Sequence, residues 1–115
     1  MSAAGFSAGK LHHFWDTSFV EHLDIDAKSL ASDLIGHITK AQEQRWQTGT
    51  PADWALESFD IAKAHAYGLL PEPSPRGTFR LSDEYVTTAT NDVAQQLSMA
   101  GVRLAFVLNK ALRTR

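Results

Sequence analysis

The chain has 115 residues, a net charge of −2 and a pI near 6.2, which bounds it to one small domain. That balance excludes a surface that binds nucleic acid by positive charge alone, though not an enzyme whose metal ions bring the charge themselves. With no cysteine there is no disulfide framework, thiolate zinc site or thiol nucleophile, so a metal ion would be held by His, Asp or Glu.

Residues 1–10 are small and glycine-containing and read as a loop or the remnant of a strand. From Leu11 the pattern turns helical: Leu11, Trp15, Phe19 and Leu23 recur every four residues, with Phe14 alongside. Asp26 is a candidate N-cap for a helix whose Leu30, Leu34 and Ile38 share a face. Thr39 caps a short helix reaching Trp46, and Gly49 breaks the chain. Thr50-Pro51-Ala52-Asp53 is a strong helix start: threonine caps, proline sits where its missing N–H costs nothing, and aspartate complements the positive helix end. This helix should run to about Leu69, with Ala55, Phe59, Ala62 and Ala66 lining its packed face. Three prolines between Pro71 and Pro75 dictate a loop. Ser82 caps the last helix, in which Val86, Val93, Leu97, Ala100, Leu104, Val107 and Ala111 keep helical spacing, and Gly101 is expected to meet a neighbouring helix. The fold class is therefore all-α, several packed helices ending in a long one, with residues 1–115 as a single domain. No stretch approaches the roughly 18–20 apolar residues of a membrane span, so no membrane partner is expected. The opening residues have no signal-peptide pattern, which predicts a cytoplasmic location for the chain as given.

The densest group of possible ligands is His12-His13-Phe14-Trp15-Asp16, followed by Glu21 and His22. On a helix His12 and Asp16 are one turn apart and point the same way, so an imidazole and a carboxylate can grip one zinc ion. The same spacing also describes a surface pair, and two ligands fall short of the roughly three or four that a zinc site needs. His13 lies about 100° round the helix from His12. His22, His37 and His65 are scattered, with no spacing that links them. Glu57 and Asp60 fit a polar helix edge or a carboxylate behind a histidine ligand. No phosphate-cradling glycine loop and no nucleophile elbow is present.

The run Leu11 to Thr17, with Phe19-Val20-Glu21, resembles the segment Asn-Leu-His-x-x-Trp-Asp-x-x-x-x-Glu of the zinc-dependent single-strand-specific nucleases, the nuclease S-one and P-one family, related to bacterial zinc phospholipase C. Trp54-Ala55-Leu56-Glu57-Ser58 resembles that family's W-A-x-E-S helix. Tyr67-Gly68 matches the tyrosine that follows, and Tyr85 with Gln96 to Asn109 resembles its closing helix. The four blocks occur in the family's order from about Leu11 to Leu112.

The resemblance implies an all-α enzyme of the phospholipase C/nuclease P-one-like fold with three zinc ions. It cuts single-stranded DNA and RNA to 5′-phosphorylated products and removes 3′-phosphates from nucleotides. His12 and Asp16 would be ligands of one zinc, and aspartate rather than glutamate at position 16 favours the nuclease branch. Family members begin with a zinc-binding N-terminal tryptophan and use further upstream His and Asp residues, none of which matches here. Lys10 stands where the family has Asn. The chain is thus expected to be the C-terminal, incomplete portion of a secreted or periplasmic enzyme: a truncated product, an internal start or an excerpt. It would supply part of one zinc site, be inactive alone, and self-associate through apolar surface left uncovered. Two other readings are a non-enzymatic helical interaction module on the same scaffold and a phospholipase C-like phosphodiesterase.

Overall fold

The computed structural model describes residues 10–113. The expected loop or strand remnant therefore falls outside the described residues except for Lys10, which is extended at φ −91° and ψ 142°. Five helices and no strand are present among the described residues.

Helix α1 is composite. Leu11–His13 and Phe19–Leu23 are α-helical, and Phe14–Ser18 between them is π-helical. The Phe19 N–H reaches back to the Phe14 carbonyl, five residues earlier. In an α-helix, residues five apart are turned about 140° from each other. The wider turn brings Phe14 and Phe19 onto one side, with rings stacked 6.0 Å apart. Both are buried, whereas Leu11, Trp15 and Leu23 are only half-buried. The expected stripe is thus kept, with Trp15 and Leu23 packed against the core, but its deepest part is a Phe14–Phe19 edge, because the π turn rotates the register.

Helix α2 (Ala27–Gly36) is capped by Asp26, whose carboxylate accepts from the Ser29 N–H at 2.9 Å and the Ser29 hydroxyl at 2.8 Å. Those two hydrogen bonds, hydroxyl first, lower the Asp26 pKa. Helix α3 (Lys40–Trp46) and helix α4 (Pro51–Ile61) each open on a reciprocal capping box, Thr39 with Gln42 and Thr50 with Asp53. Gly49, at φ +86°, makes the turn between them. A π-helical stretch, Ala62–Tyr67, continues α4. It ends at Gly68, whose N–H bonds the Lys63 carbonyl at 3.0 Å. A side chain there would sit 2.4 Å from the Ala64 carbonyl oxygen, which leaves room for glycine only.

The packed side of α4 is the expected one only in part. The expectation holds at the C-terminal end, where Ala66 is buried and Ala62 half-buried, but Ala55 and Phe59 are exposed, the latter by 60%, while Trp54, Glu57, Ile61 and His65 turn inward. Arg103 explains the rotation. Its guanidinium bonds both Glu57 carboxylate oxygens at 3.0 and 3.3 Å, its Nε donates to the Trp46 carbonyl at 3.0 Å, and its carbon lies 5.1 Å from the Trp54 ring centroid. One planar cation thereby ties the end of α3 and the first half of α4 to the last helix. The Arg103 hydrogen bond also lowers the Glu57 pKa, with burial opposing it.

Helix α5 (Asp83–Arg113) follows the proline loop. Ser82 caps it by accepting from the Tyr85 N–H at 3.1 Å. Its 31 residues span about 46 Å at 1.5 Å each, most of the 55 Å long axis. The first half carries the core: Tyr85, Val86, Ala89 and Val93 pack with Phe14, Phe19 and Leu81. In the second half the expected stripe swings outward: Leu97, Ala100, Leu104 and Val107 are exposed, and Met99, Val102 and Phe106 face inward instead. Gly101 meets no neighbour, since a Cβ there would find nothing within 4 Å.

The Tyr85 hydroxyl accepts from the Trp15 indole at 3.2 Å and donates to the Ala66 carbonyl at 2.6 Å. Replacing it by phenylalanine (Tyr85→Phe) orphans both partners, at about 1–3 kcal/mol. Thermal unfolding should then shift down by at least about 5 °C. The Glu57–Arg103 pair gives a pH signature. Glu57 ionises more easily folded than at its ordinary value of 4.5, so its stabilisation is present above that value and is lost as pH falls through the lowered folded pKa. Urea titrations of Glu57→Gln should show a deficit against the parent at pH 7 that narrows as pH falls below 4.5.

Candidate metal centre

His12 and Asp16 come together as their spacing predicts. His12 Nε2 lies 2.6 Å from Asp16 Oδ2, and the side chains are 88% and 60% exposed. The register that aligns them is set across the helix, where Phe14 and Phe19 are locked in the core and Trp15 is pinned by Tyr85. The pair is therefore presented outward by a helix that cannot easily rotate.

The donor set suits zinc in kind: one imidazole nitrogen and one carboxylate oxygen on a single turn. Tetrahedral ligands at about 2.0–2.2 Å from zinc lie about 3.3 Å from one another, so a small rotamer opening admits the ion. In number the set is short. Among the described residues no group of three or more His, Cys, Asp or Glu side chains converges on one point.

The other residues singled out lie elsewhere. His13 is exposed beside His12 and joins no cluster. His37 Nδ1 is 2.7 Å from the Asp33 carbonyl. Glu57 serves Arg103 and no histidine, and Asp60 is exposed. The Lys10 ammonium donates to the Arg76 carbonyl at 2.8 Å and closes the proline loop onto α1.

Sequence spacing missed one constellation. His65 Nδ1 meets Asp92 Oδ2 at 2.7 Å, the side chains 39% and 12% exposed. Twenty-seven residues separate them, and nothing local in either segment announces the pairing. The π turn at Ala62–Tyr67 places His65 against α5.

Clefts frame these groups. One of about 570 Å³ runs between α1, α4 and α5 beside His12, walled by Trp15, Ser58, Tyr67, Asp92 and Gln96. A second, about 730 Å³, is bordered by Asp16 with Trp15, Trp54, Ser58 and Arg103. The largest, about 960 Å³, lies between α1, α2 and α5, is mostly apolar, and includes neither His12 nor Asp16. The two candidate ligands thus border different clefts, one on each side of Trp15.

Among the described residues no helix is long and apolar enough to cross a membrane. No solved structure matches the chain. A curated relative, Endonuclease 2 of Arabidopsis thaliana, is 33% identical over 113 residues, covering 87% of this chain and 37% of the relative. The chain thus spans little more than a third of that relative's length. The family model for S1/P1 nuclease matches residues 5–113, a stretch that takes in the His12–Asp16 turn, the capped α4 and all of α5. On that match, and with the helical architecture that accompanies it, the chain belongs to the S1/P1 nuclease family.

Proposed function

We propose that this chain contributes part of a zinc centre that hydrolyses phosphodiester bonds in single-stranded nucleic acid, with 3′-nucleotides as a second class of substrate. The observation that carries the reading is the outward-facing His12–Asp16 pair, 2.6 Å apart on a braced turn, in a chain of the nuclease family. His12 would hold zinc through Nε2 and Asp16 through its carboxylate. Zinc bound there supplies a Lewis acid that offsets negative charge on phosphate oxygens.

The chain's own residues do the rest. For His12 to act as a ligand, Nε2 must be free of its proton, which then resides on Nδ1. Asp16 contributes the negative charge that favours a cation at this turn. Trp15, held by Tyr85, fixes the orientation of both. The remaining ligands, in this reading, come from the rest of the family domain, and residues 10–113 alone hydrolyse nothing.

The self-association expected from the sequence belongs to the same proposal. Leu97, Ala100, Leu104 and Val107 repeat with alternating steps of three and four along the outer half of α5, and the three large members are 41%, 60% and 44% exposed. That spacing is the seam of a helix pair, and an open apolar seam is a surface that other apolar surface covers.

Purified chain with excess zinc should leave single-stranded DNA and a 3′-nucleotide intact, while zinc perturbs the His12 ring resonances in NMR. Asp16→Ala should weaken that zinc response by about tenfold or more, and His12→Ala should abolish the zinc-dependent shifts of the backbone amides across residues 12–16. Chelator-sensitive cleavage lost in both variants would show instead that the chain builds a working site alone. Sedimentation velocity should give a mass that rises with concentration and falls back to monomer in Leu104→Glu. A parent chain that stays monomeric at high concentration contradicts the seam.

A further inference from the structure

We infer that the large groove between α2 and the second half of α5 is a docking site for a basic amphipathic helix of a partner protein, laid parallel to α5. The inference is independent of the nuclease reading and of any metal. It follows from the shape of the groove and the charges at its edge.

The groove holds about 960 Å³ and includes neither His12 nor Asp16. One wall is the apolar face that the sequence predicts, Leu30 and Leu34 of α2 followed by Ile38. The other wall is α5, with Val102 and Phe106. Leu30 is buried, but Leu34, Ile38, Val102 and Phe106 are only half-covered. Gly101 lines the α5 side, and a Cβ there would meet nothing within 4 Å, which leaves space for an incoming side chain. Ser98 spends its hydroxyl on the Ala94 carbonyl at 2.8 Å and adds no free donor to the wall. The α5 face from Leu97 to Arg113 is about 24 Å long at 1.5 Å per residue, the length of a helix of about 16 residues. Large side chains at every third and fourth position of such a helix can enter between the walls.

Charge selects the occupant. Among the described residues three carboxylates border the groove, Glu21, Asp24 and Glu43, against one cation, Arg113. Fatty acids and nucleic-acid strands carry the wrong sign for that edge. A helix with lysine or arginine beside its apolar face carries the right one. The charges are also sorted along the groove. Glu21 and Asp24 come from the end of α1, which packs on the first half of α5, so they stand at the Leu97 end, and Arg113 stands at the other. The positive end of a docked helix dipole therefore belongs at Glu21 and Asp24, and the negative end at Arg113. That runs the partner parallel to α5. The chain's own α5 carries its cations, Lys110 and Arg113, in its last turn. In this orientation they would meet Arg113, so a second copy is the poorer fit.

The test is NMR titration of the full chain, in chelator, with a helical leucine–lysine amphipathic peptide of about 18 residues and with its leucine–glutamate counterpart. The parent and Leu104→Glu are both titrated, since Leu104 does not line the groove and its substitution removes pairing through the α5 seam. The lysine peptide should shift the Leu34, Ile38 and Gly101 amides saturably, at least about tenfold more tightly than the glutamate peptide. Glu21→Gln with Glu43→Gln, both at exposed positions, should cut that preference by at least about fivefold. Gly101→Leu puts a better helix former into open space, so the chain stays folded, and it should weaken the lysine peptide by about tenfold or more. A nitroxide on the amino end of the peptide should broaden the Glu21 and Ser98 amides and spare Asn109. Equal binding of the two peptides, binding that survives Gly101→Leu, shifts confined to Ala100 and Val107, or broadening at Asn109 would each overturn the proposal. Shifts of Leu34 with chain concentration alone would give the groove to a second copy and overturn it too.

Discussion

The Tyr85 hydroxyl is where three helices become one object. It accepts from the α1 indole and donates to the Ala66 carbonyl in the π stretch that continues α4, from the first turn of α5. The Ala66 carbonyl lies at a helix end, where the intrahelical partner is missing, and a phenol is an economical substitute for it. Burial raises the Tyr85 pKa, so the group stays a neutral donor over the whole useful pH range. Without that junction α1 would rest on α5 through rings alone, which resist separation far better than they resist sliding or rotation.

Rotation is what matters for α1, because the outward pair and the inward pair are four and five residues apart on the same helix. Phe14 and Phe19 can both be buried only if the turn between them is π-helical. His12 and Asp16 straddle the start of that turn and still meet at 2.6 Å. A π turn in a helix is uncommon and tends to mark a functional position. Here one is found in α1 beneath the candidate ligands and another in α4, supplying both the carbonyl for Tyr85 and the imidazole for Asp92. The two departures from α geometry thus lie on either side of the same cleft.

What could be read from the sequence follows from range. Helix starts depend on three or four neighbouring residues, and Asp26, Thr39, Thr50 and Ser82 all cap where their local pattern says they should. The all-α class and the His12–Asp16 meeting are likewise one-turn facts. Which side of a helix is buried is not local. Arg103 turns α4 by engaging Glu57, 46 residues away, and the π turn shifts α1 by a fraction of a residue's rotation that a period of 3.6 cannot represent. The outer half of α5 keeps a regular apolar repeat that is nonetheless exposed, since periodicity records that a surface is meant to be covered and not what covers it. His65 and Asp92 find each other only once α4 and α5 are docked, so neither was legible as more than an isolated polar residue.

The charge balance ties these levels together. A chain with net charge −2 gives a polyanion little reason to approach, and the cleft beside the ligand pair makes that worse with a nearly buried carboxylate. On the proposed reading the attraction of phosphate would fall to a cation at His12 and Asp16, because the surface charge does not supply it, and a preference for single strands, whose bases are unpaired and open, would need no lysine groove.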